Sequence, residues 1–201
     1  MSAATVVPEV TAIREQRLLV HNVSWKDYVI LRDVLDGPSP RMTYLRGALE
    51  LMSPSPEHEL WKKNIARLVE LFAHKRRIDL RAYGSTTFRK EAKERGVEPD
   101  ECYVIGKKLV EVPGEVPEIV LEVIRTSPLL DELAVYAGLG IPEVWLFRDG
   151  TFTVHALDAT SGRYAVRTTS AFLPELDLAL VARHARREDT AQALVEFEAQ
   201  L

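Results

Sequence analysis

At 201 residues and a formal net charge of −4, with 46% hydrophobic and 28% charged side chains, the chain has the size and composition of one soluble globular domain. It is not basic throughout, and no apolar run approaches the roughly 20 residues of a membrane span, which excludes a wholly cationic nucleic-acid coat protein and a helical membrane protein. Its one cysteine, Cys102, permits no intrachain disulfide and points to a reducing cytoplasm.

Residues 1–17, MSAATVVPEVTAIREQR, have no basic start, no apolar h-region and no periodicity. They predict a loose lead-in without a secretory signal, followed by a single domain over 18–201. Ser24 to Leu35, SWKDYVILRDVL, predicts a short helix capped by Ser24 and stopped by DGPSP. RMTYL and ALELM flank Arg46-Gly47 and predict a hairpin whose turn uses the positive φ that glycine tolerates. Ser55 and Pro56 then mark a helix start, and Trp61, Ile65, Leu68 and Phe72 recur at helical spacing. Strands are predicted at LRAYG, TTFRK, ECYVI and within PEIVLEVI. Ser127-Pro128 opens a further predicted helix, with Leu129, Leu133, Tyr136 and Ala137 on one side and Gly140 beyond its end. PEVWLF reads as a buried strand, TFTVHAL with YAVRTT as a meander, and REDTAQALVEFEAQL as an amphipathic closing helix. The order predicts an α/β domain around one mixed sheet.

Charge is unevenly spread. Residues 61–95 hold eleven Lys/Arg against four acids, a local +7, leaving 15 basic and 26 acidic residues, or −11, elsewhere. Such a segment suits the steering of a polyanion, and suits equally a solvated helix face followed by a loop.

Within EIVLEVIRTSP (118–128), a strand apolar on both faces carries Glu122 in its middle. An ionised carboxylate taken out of water costs several kcal/mol unless a cation or donors meet it. Asp100 lies 22 residues earlier, in GVEPDECYVIG, after Pro99, which fixes its own φ and holds residue 98 extended. Two carboxylates from neighbouring strands would converge on a hard divalent cation, which supplies the positive charge Glu122 lacks and acts on a phosphoryl group. An arginine or lysine across the sheet would serve Glu122 as well, leaving Asp100 a turn residue. No GxxxxGK[ST], GxGxxG, HExxH or GxSxG occurs, which removes other common catalytic signatures. Cys102 reads as a small buried hydrophobe.

The segments LMSPSPEHE, YGSTTFRKEAKERGVEPDECYVIG and PEIVLEVIRTSPLLDELAVYAGLGIPEVWLF resemble, in that order, motifs of the Uma-two family of the restriction-endonuclease-like PD-(D/E)xK superfamily. The resemblance runs from about Val20 through the closing helix. It implies an αβββαβ core with a mixed sheet, here joined to an N-terminal helix and hairpin and a C-terminal helix. It also implies a Mg²⁺ or Mn²⁺ site at the sheet edge and hydrolysis of a DNA phosphodiester by a cation-activated water. Carried onto this chain, Asp100 and Glu122 are the metal ligands.

The superfamily's lysine normally lies two residues past the second acid, where this chain has Ile124. The family's usual alternative, on the following helix in a run resembling LDKL, reads LDEL here, with Glu132 in the lysine's place. Counted from Leu129, residues 133, 136 and 132 fall at roughly 40°, 340° and 300° around the helix, so Glu132 borders the packed face. There it acts as a third acidic ligand or water-orienting group, or is a solvated flank residue. Lys90, on a strand expected to neighbour that of Asp100, is the leading stand-in cation. Arg89 shares that strand, Lys93 and Arg125 are weaker candidates, in a loop and at a strand end, and each of the four reads more readily as a surface charge. Glu50, in ALELMSP, and His58, in the first helical turn, match family positions. Glu50 would approach the metal or its water. His58 is a base or donor kept neutral by the helix terminus, or a solvent-exposed residue. The expected activity is that of a Mg²⁺-dependent endonuclease acting on DNA in the cytoplasm. The alternative, favoured by Glu132, is a catalytically impaired homologue that binds nucleic acid or a protein. The superfamily's dimers leave room for a homodimer, for which the sequence carries no signature.

Overall fold

The computed structural model describes residues 14–35, 37, 39–107 and 115–201; most of the expected lead-in, residues 1–13, lies outside the described residues. The described residues open with strand β1 (Gln16–His21), helix α1 (Trp25–Val34) and the hairpin of β2 (Arg41–Leu45) and β3 (Ala48–Ser53). Helix α2 (Pro56–Arg76) leads to β4 (Leu80–Ala82), β5 (Phe88–Lys90), a short 3-10 turn, β6 (Arg95–Val97), β7 (Glu101–Ile105) and β8 (Ile119–Ile124). Helix α3 (Glu132–Leu139), strands β9 (Glu143–Arg148), β10 (Thr151–Asp158) and β11 (Arg163–Arg167), and helices α4 (Leu178–Ala185) and α5 (Thr190–Glu198) complete it. Among the described residues no helix is long and apolar enough to cross a membrane.

Helix α2 forms where the apolar spacing predicts. Ser55 accepts the His58 N–H, Pro56 opens the first turn, and Arg77 closes the last with a left-handed φ of 57°. Its Trp61, Ile65, Leu68 and Phe72 share a core with Ile119, Leu121 and Val123 of β8, to which α4 and α5 add Leu180, Val181 and Phe197. Helix α3 covers the opposite face, where Val135, Tyr136 and Leu139 meet Cys102, Val120 and Val144. Between these layers lies a six-stranded sheet in the order β11-β10-β9-β8-β7-β4. Strands β8 and β9 are parallel, as a crossover through a helix allows. The series α2, β4, β7, β8, α3 and β9 is the expected αβββαβ core.

The expectation of one sheet is corrected to two. A second, five-stranded sheet runs in the order β1-β3-β2-β6-β5. Strands β5 and β6 leave the main sheet between β4 and β7 to extend the hairpin, and β6 was not predicted because ERGVE is short and contains glycine. Side chains alternate across a strand, so this sheet has two unlike faces. Met42, Tyr44 and Leu49 pack with Val23 and Tyr28 under α1, Tyr28 stacking on Tyr44 at 4.8 Å between centroids. The other face carries Arg17 and Arg41, each opposite Met52, with Glu50 paired to both Leu19 and Thr43.

Strand β1 corrects the loose lead-in as well, since Gln16 and Arg17 pair with Ser53 and Met52. Its polarity is inverted: Leu18 is 57% exposed while the Arg17 side chain is 8% exposed, the reverse of an ordinary half-buried strand. Helix α3 begins at Glu132 rather than Pro128. Asp131 caps it by accepting the Ala134 N–H, while the N–H groups of Leu129 and Leu130 go to Glu50 instead of opening a helical turn. Helix α4 was not predicted.

Close packing of α1 on the second sheet depends on Gly96 of β6, where a Cβ would overlap the Tyr28 hydroxyl and ring. Gly96→Ala is therefore expected to lower stability by about 1–3 kcal/mol, read as a lower urea midpoint with an unchanged m-value.

Candidate active site

The alternation of β8 decides where Glu122 points. Ile119, Leu121 and Val123 face α2, whereas Val120 faces α3, and Glu122, two residues on, shares that side. There the Tyr136 hydroxyl of α3 donates to Glu122 Oε1. Among the described residues no Arg, Lys or His nitrogen is ion-paired with Glu122. Burial pushes its pKa up to about 7, against the Tyr136 bond and the charges of Arg41 and Arg17. Tyr136 itself is driven well above its usual pKa by burial and by Glu122 and Glu132, so it remains a donor.

Asp100, between β6 and β7, is 1% exposed and is more than a turn residue. Its Oδ2 accepts the Val123 N–H at 2.6 Å, fixing its carboxylate beside the strand position that follows Glu122. Its Oδ1 meets His58 Nε2 at 2.8 Å and also contacts Arg41 Nη1. His58 is fully buried, not solvent-exposed, and its Nδ1 meets Glu15 Oε2 at 2.9 Å. Burial lowers the imidazole pKa, opposed by Glu15. Glu15 resists burial through bonds from His58 and Thr126 and the charge of Arg17, which bring its pKa down to about 2.

Glu50 is 1% exposed and accepts from the Leu129 and Leu130 N–H groups at 2.9 Å each and from Arg17 Nη1 at 2.5 Å. Arg17 Nη1 also lies 3.8 Å from Glu132 Oε1. Glu132, the first residue of α3, is held well above its usual pKa by burial and then by Glu122. Burial disfavours the Arg17 charge, yet the Glu50 bond and the charges of Glu132, Glu50 and Glu15 hold its pKa above the ordinary value. A cavity of about 10 Å³ is walled chiefly by Arg17, Arg41, Glu98, Ile124, Glu122 and Glu132, room for about one water-sized occupant.

The donors here are carboxylate oxygens, the kind a hard divalent cation takes. A positive charge would relieve their mutual repulsion and burial. Among the described residues no group of three or more His, Cys, Asp or Glu is already arranged to hold a metal. Arg41 has to release Asp100 for that carboxylate to serve.

Asp100, Glu122, Glu132, His58 and Glu50 thus gather at one place, and Lys90 does not. Strand β5 lies at the edge of the second sheet, where Lys90 pairs with Arg95 and is exposed, so the expectation that it neighbours the strand of Asp100 is corrected. Arg89 pairs with Asp33 at 3.8 Å, and Lys93 is exposed in the 3-10 turn. Arg125 stacks over Trp61 with its guanidinium carbon 4.4 Å from the ring centroid. The basic segment is dispersed as well. Lys62 is buried beside Glu59, whereas Lys75 and Arg76 pair with Glu198 and Glu175, about 25 Å along α2 from His58. Arg17, Glu15, Arg41 and Tyr136 went unrecognised in the sequence. The available signal was alternation: Arg41 precedes Met42 and is in phase with Thr43, which places it on the face opposite the core.

The family model Uma2, described as "Putative restriction endonuclease", matches residues 25–187, from α1 through α4. The crystal structure of "a putative nuclease belonging to DUF820" from Anabaena variabilis is similar in fold, with a TM-score of 0.53 and 15% identity, covering 83% of this chain and 98% of that one. No curated protein matches the chain. A family match over four-fifths of the sequence, taking in Asp100, Glu122 and Glu132 on a restriction-endonuclease-like fold, makes the chain a member of the Uma2 family.

Proposed function

We propose that this chain is a metal-dependent endonuclease that hydrolyses DNA phosphodiesters, with Asp100 and Glu122 holding Mg²⁺ or Mn²⁺. The observation that carries the reading is the Asp100–Val123 N–H bond, which fixes one acid against the strand that bears the other at a cavity rich in buried carboxylate. When bound, the cation supplies charge neutralisation at the phosphoryl group and lowers the pKa of water. The protein's own residues orient. His58 positions Asp100, the Tyr136 hydroxyl positions Glu122, and Glu50 holds the segment that leads into α3. Glu132 is a third acidic group beside them, 3.8 Å from Arg17 Nη1. Arg125, which also pairs with Glu57, and Arg186, each over the Trp61 ring, together with exposed Lys63 and Arg67 on α2, are the groups we assign to the DNA backbone, so binding weakens as salt rises.

The test is nicking of supercoiled plasmid. Mn²⁺-dependent nicking that EDTA abolishes and Glu122→Ala lowers at least about 100-fold is the expected result. Nicking that survives in Glu122→Ala would place the activity elsewhere. DNA binding without cleavage would favour the binding-module alternative.

A further inference from the structure

Four acids, Glu98, Glu122, Glu132 and the adjoining Asp100, crowd the small cavity, and only two cations, Arg17 and Arg41, wall it. The two cations are not equivalent. Arg41 donates from Nη2 to Glu59 and lies against Asp100, with its buried Nε and Nη1 lacking a hydrogen-bond partner among the described residues. Arg17 uses Nε on Glu15 and Thr126 and Nη1 on Glu50, while its Nη2 has no hydrogen-bond partner among the described residues. Its guanidinium is therefore anchored through Nε and Nη1 by groups from three separate segments, with the Nη2 donors left over. An arginine held in this way is preorganised for a phosphate oxygen: it stays charged at any working pH, presents the N–H groups of Nη2 and loses little freedom on binding.

We infer that Arg17 binds the phosphate to be cleaved, supplying from β1 the positive charge that position 132 lacks. The inference rests on the nuclease reading of the same cavity. Arg17 Nη1 lies 3.8 Å from Glu132 Oε1, so the guanidinium sits next to the place where an ammonium at position 132 would fall. Glu132 is then not a lesion in the site; its carboxylate is one of the groups that hold Arg17 toward the cavity. Arginine donates hydrogen bonds but does not accept a proton, so its part is binding the phosphate and stabilising charge on it. Arg17 lies before the segment 25–187 that the family model matches.

The test uses the full chain with Arg17→Met, Arg17→Lys and the double variant Arg17→Met/Glu132→Lys. Plasmid nicking in Mn²⁺ is read beside fluorescence anisotropy of a short DNA duplex in Ca²⁺, and thermal unfolding verifies the fold. Arg17→Met is expected to lower nicking about 100-fold and DNA affinity about tenfold. Arg17→Lys, which keeps charge but not the planar guanidinium and its several donors, loses about tenfold in nicking. Adding Glu132→Lys to Arg17→Met restores at least about tenfold in nicking and most of the affinity. A purely structural arginine gives no such rescue, because a lysine at 132 cannot restore the bonds from position 17 to Glu15 and Thr126. Wild-type nicking or affinity in Arg17→Met, or a double variant that folds but performs no better than the single one, would overturn the inference. If the wild type does not nick, the hydrolysis reading fails, and anisotropy still decides. A loss in Arg17→Met that the double variant recovers keeps the phosphate role, and equal affinities end it.

Discussion

Glu122→Gln is expected to stabilise the metal-free protein at pH 8 while abolishing its metal binding. Glu122 has an ordinary pKa of 4.5 that burial raises to about 7 in the folded chain. Below the unfolded value the carboxyl is neutral in both states and costs nothing. As pH rises from there toward 7 the folded state holds more protons than the unfolded one, so stability falls, and above the folded value the whole cost is present. Glutamine removes the charge and keeps an oxygen to accept from the Tyr136 hydroxyl. The gain is on the order of 2 kcal/mol at pH 8, a rise of roughly 5 °C in the thermal midpoint for a domain of this size. It vanishes at pH 4. Thermal scans of both proteins in EDTA across that range measure it directly; a variant stabilised equally at both ends would show that Glu122 is not the titrating group. Mn²⁺ at pH 8 should then stabilise the wild type and leave the variant unmoved.

Asp100→Ala is expected to act in the opposite direction. Asp100 accepts from the Val123 N–H, faces His58 Nε2 and contacts Arg41, all inside the protein. Removing it leaves a buried arginine without that partner and an amide and an imidazole nitrogen unmet. Breaking one side of a buried pair costs about 3–5 kcal/mol, enough to lower the thermal midpoint on the order of 10 °C. Asp100→Asn, which keeps an acceptor for Val123, should lose less. Urea unfolding separates the two variants. An alanine variant within about 1 kcal/mol of wild type would contradict the network around Asp100. The two proposed ligands thus differ in kind: Asp100 is anchored by the fold, whereas Glu122 is a charge the fold tolerates at a cost, as expected of a group retained for function.

The parts of this architecture with strong local signals were legible from the sequence. Ser55, Pro56 and the Trp61–Phe72 spacing fix α2 without reference to anything distant. The doubly apolar run around Glu122 is fully buried, as its composition required. The second sheet was not legible, because β5 and β6 have three residues each and owe their place to pairing with β2 and with each other. The start of α3 was misread for a similar reason: Ser127-Pro128 is a sound local start signal, and Glu50, some eighty residues earlier in the chain, takes the amides that a first turn would leave for water. Site acids stood out because charge inside an apolar strand is costly anywhere. Their partners did not. Arg17 sits in an inverted strand that looks unstructured, Arg41 is one charge at a strand start, and Tyr136 has the spacing of an ordinary core residue.

The proposed chemistry requires that the cavity between β8, α3 and the second sheet take a divalent cation. Calorimetric titration of Mn²⁺ at pH 7.5 into wild type and Glu122→Gln, a variant that keeps the fold, tests this most directly. A single saturable site in the wild type, lost in the variant, is the predicted result. A wild type that shows no binding, or a variant that binds as tightly as the wild type, would contradict the assignment of Glu122 as a metal ligand.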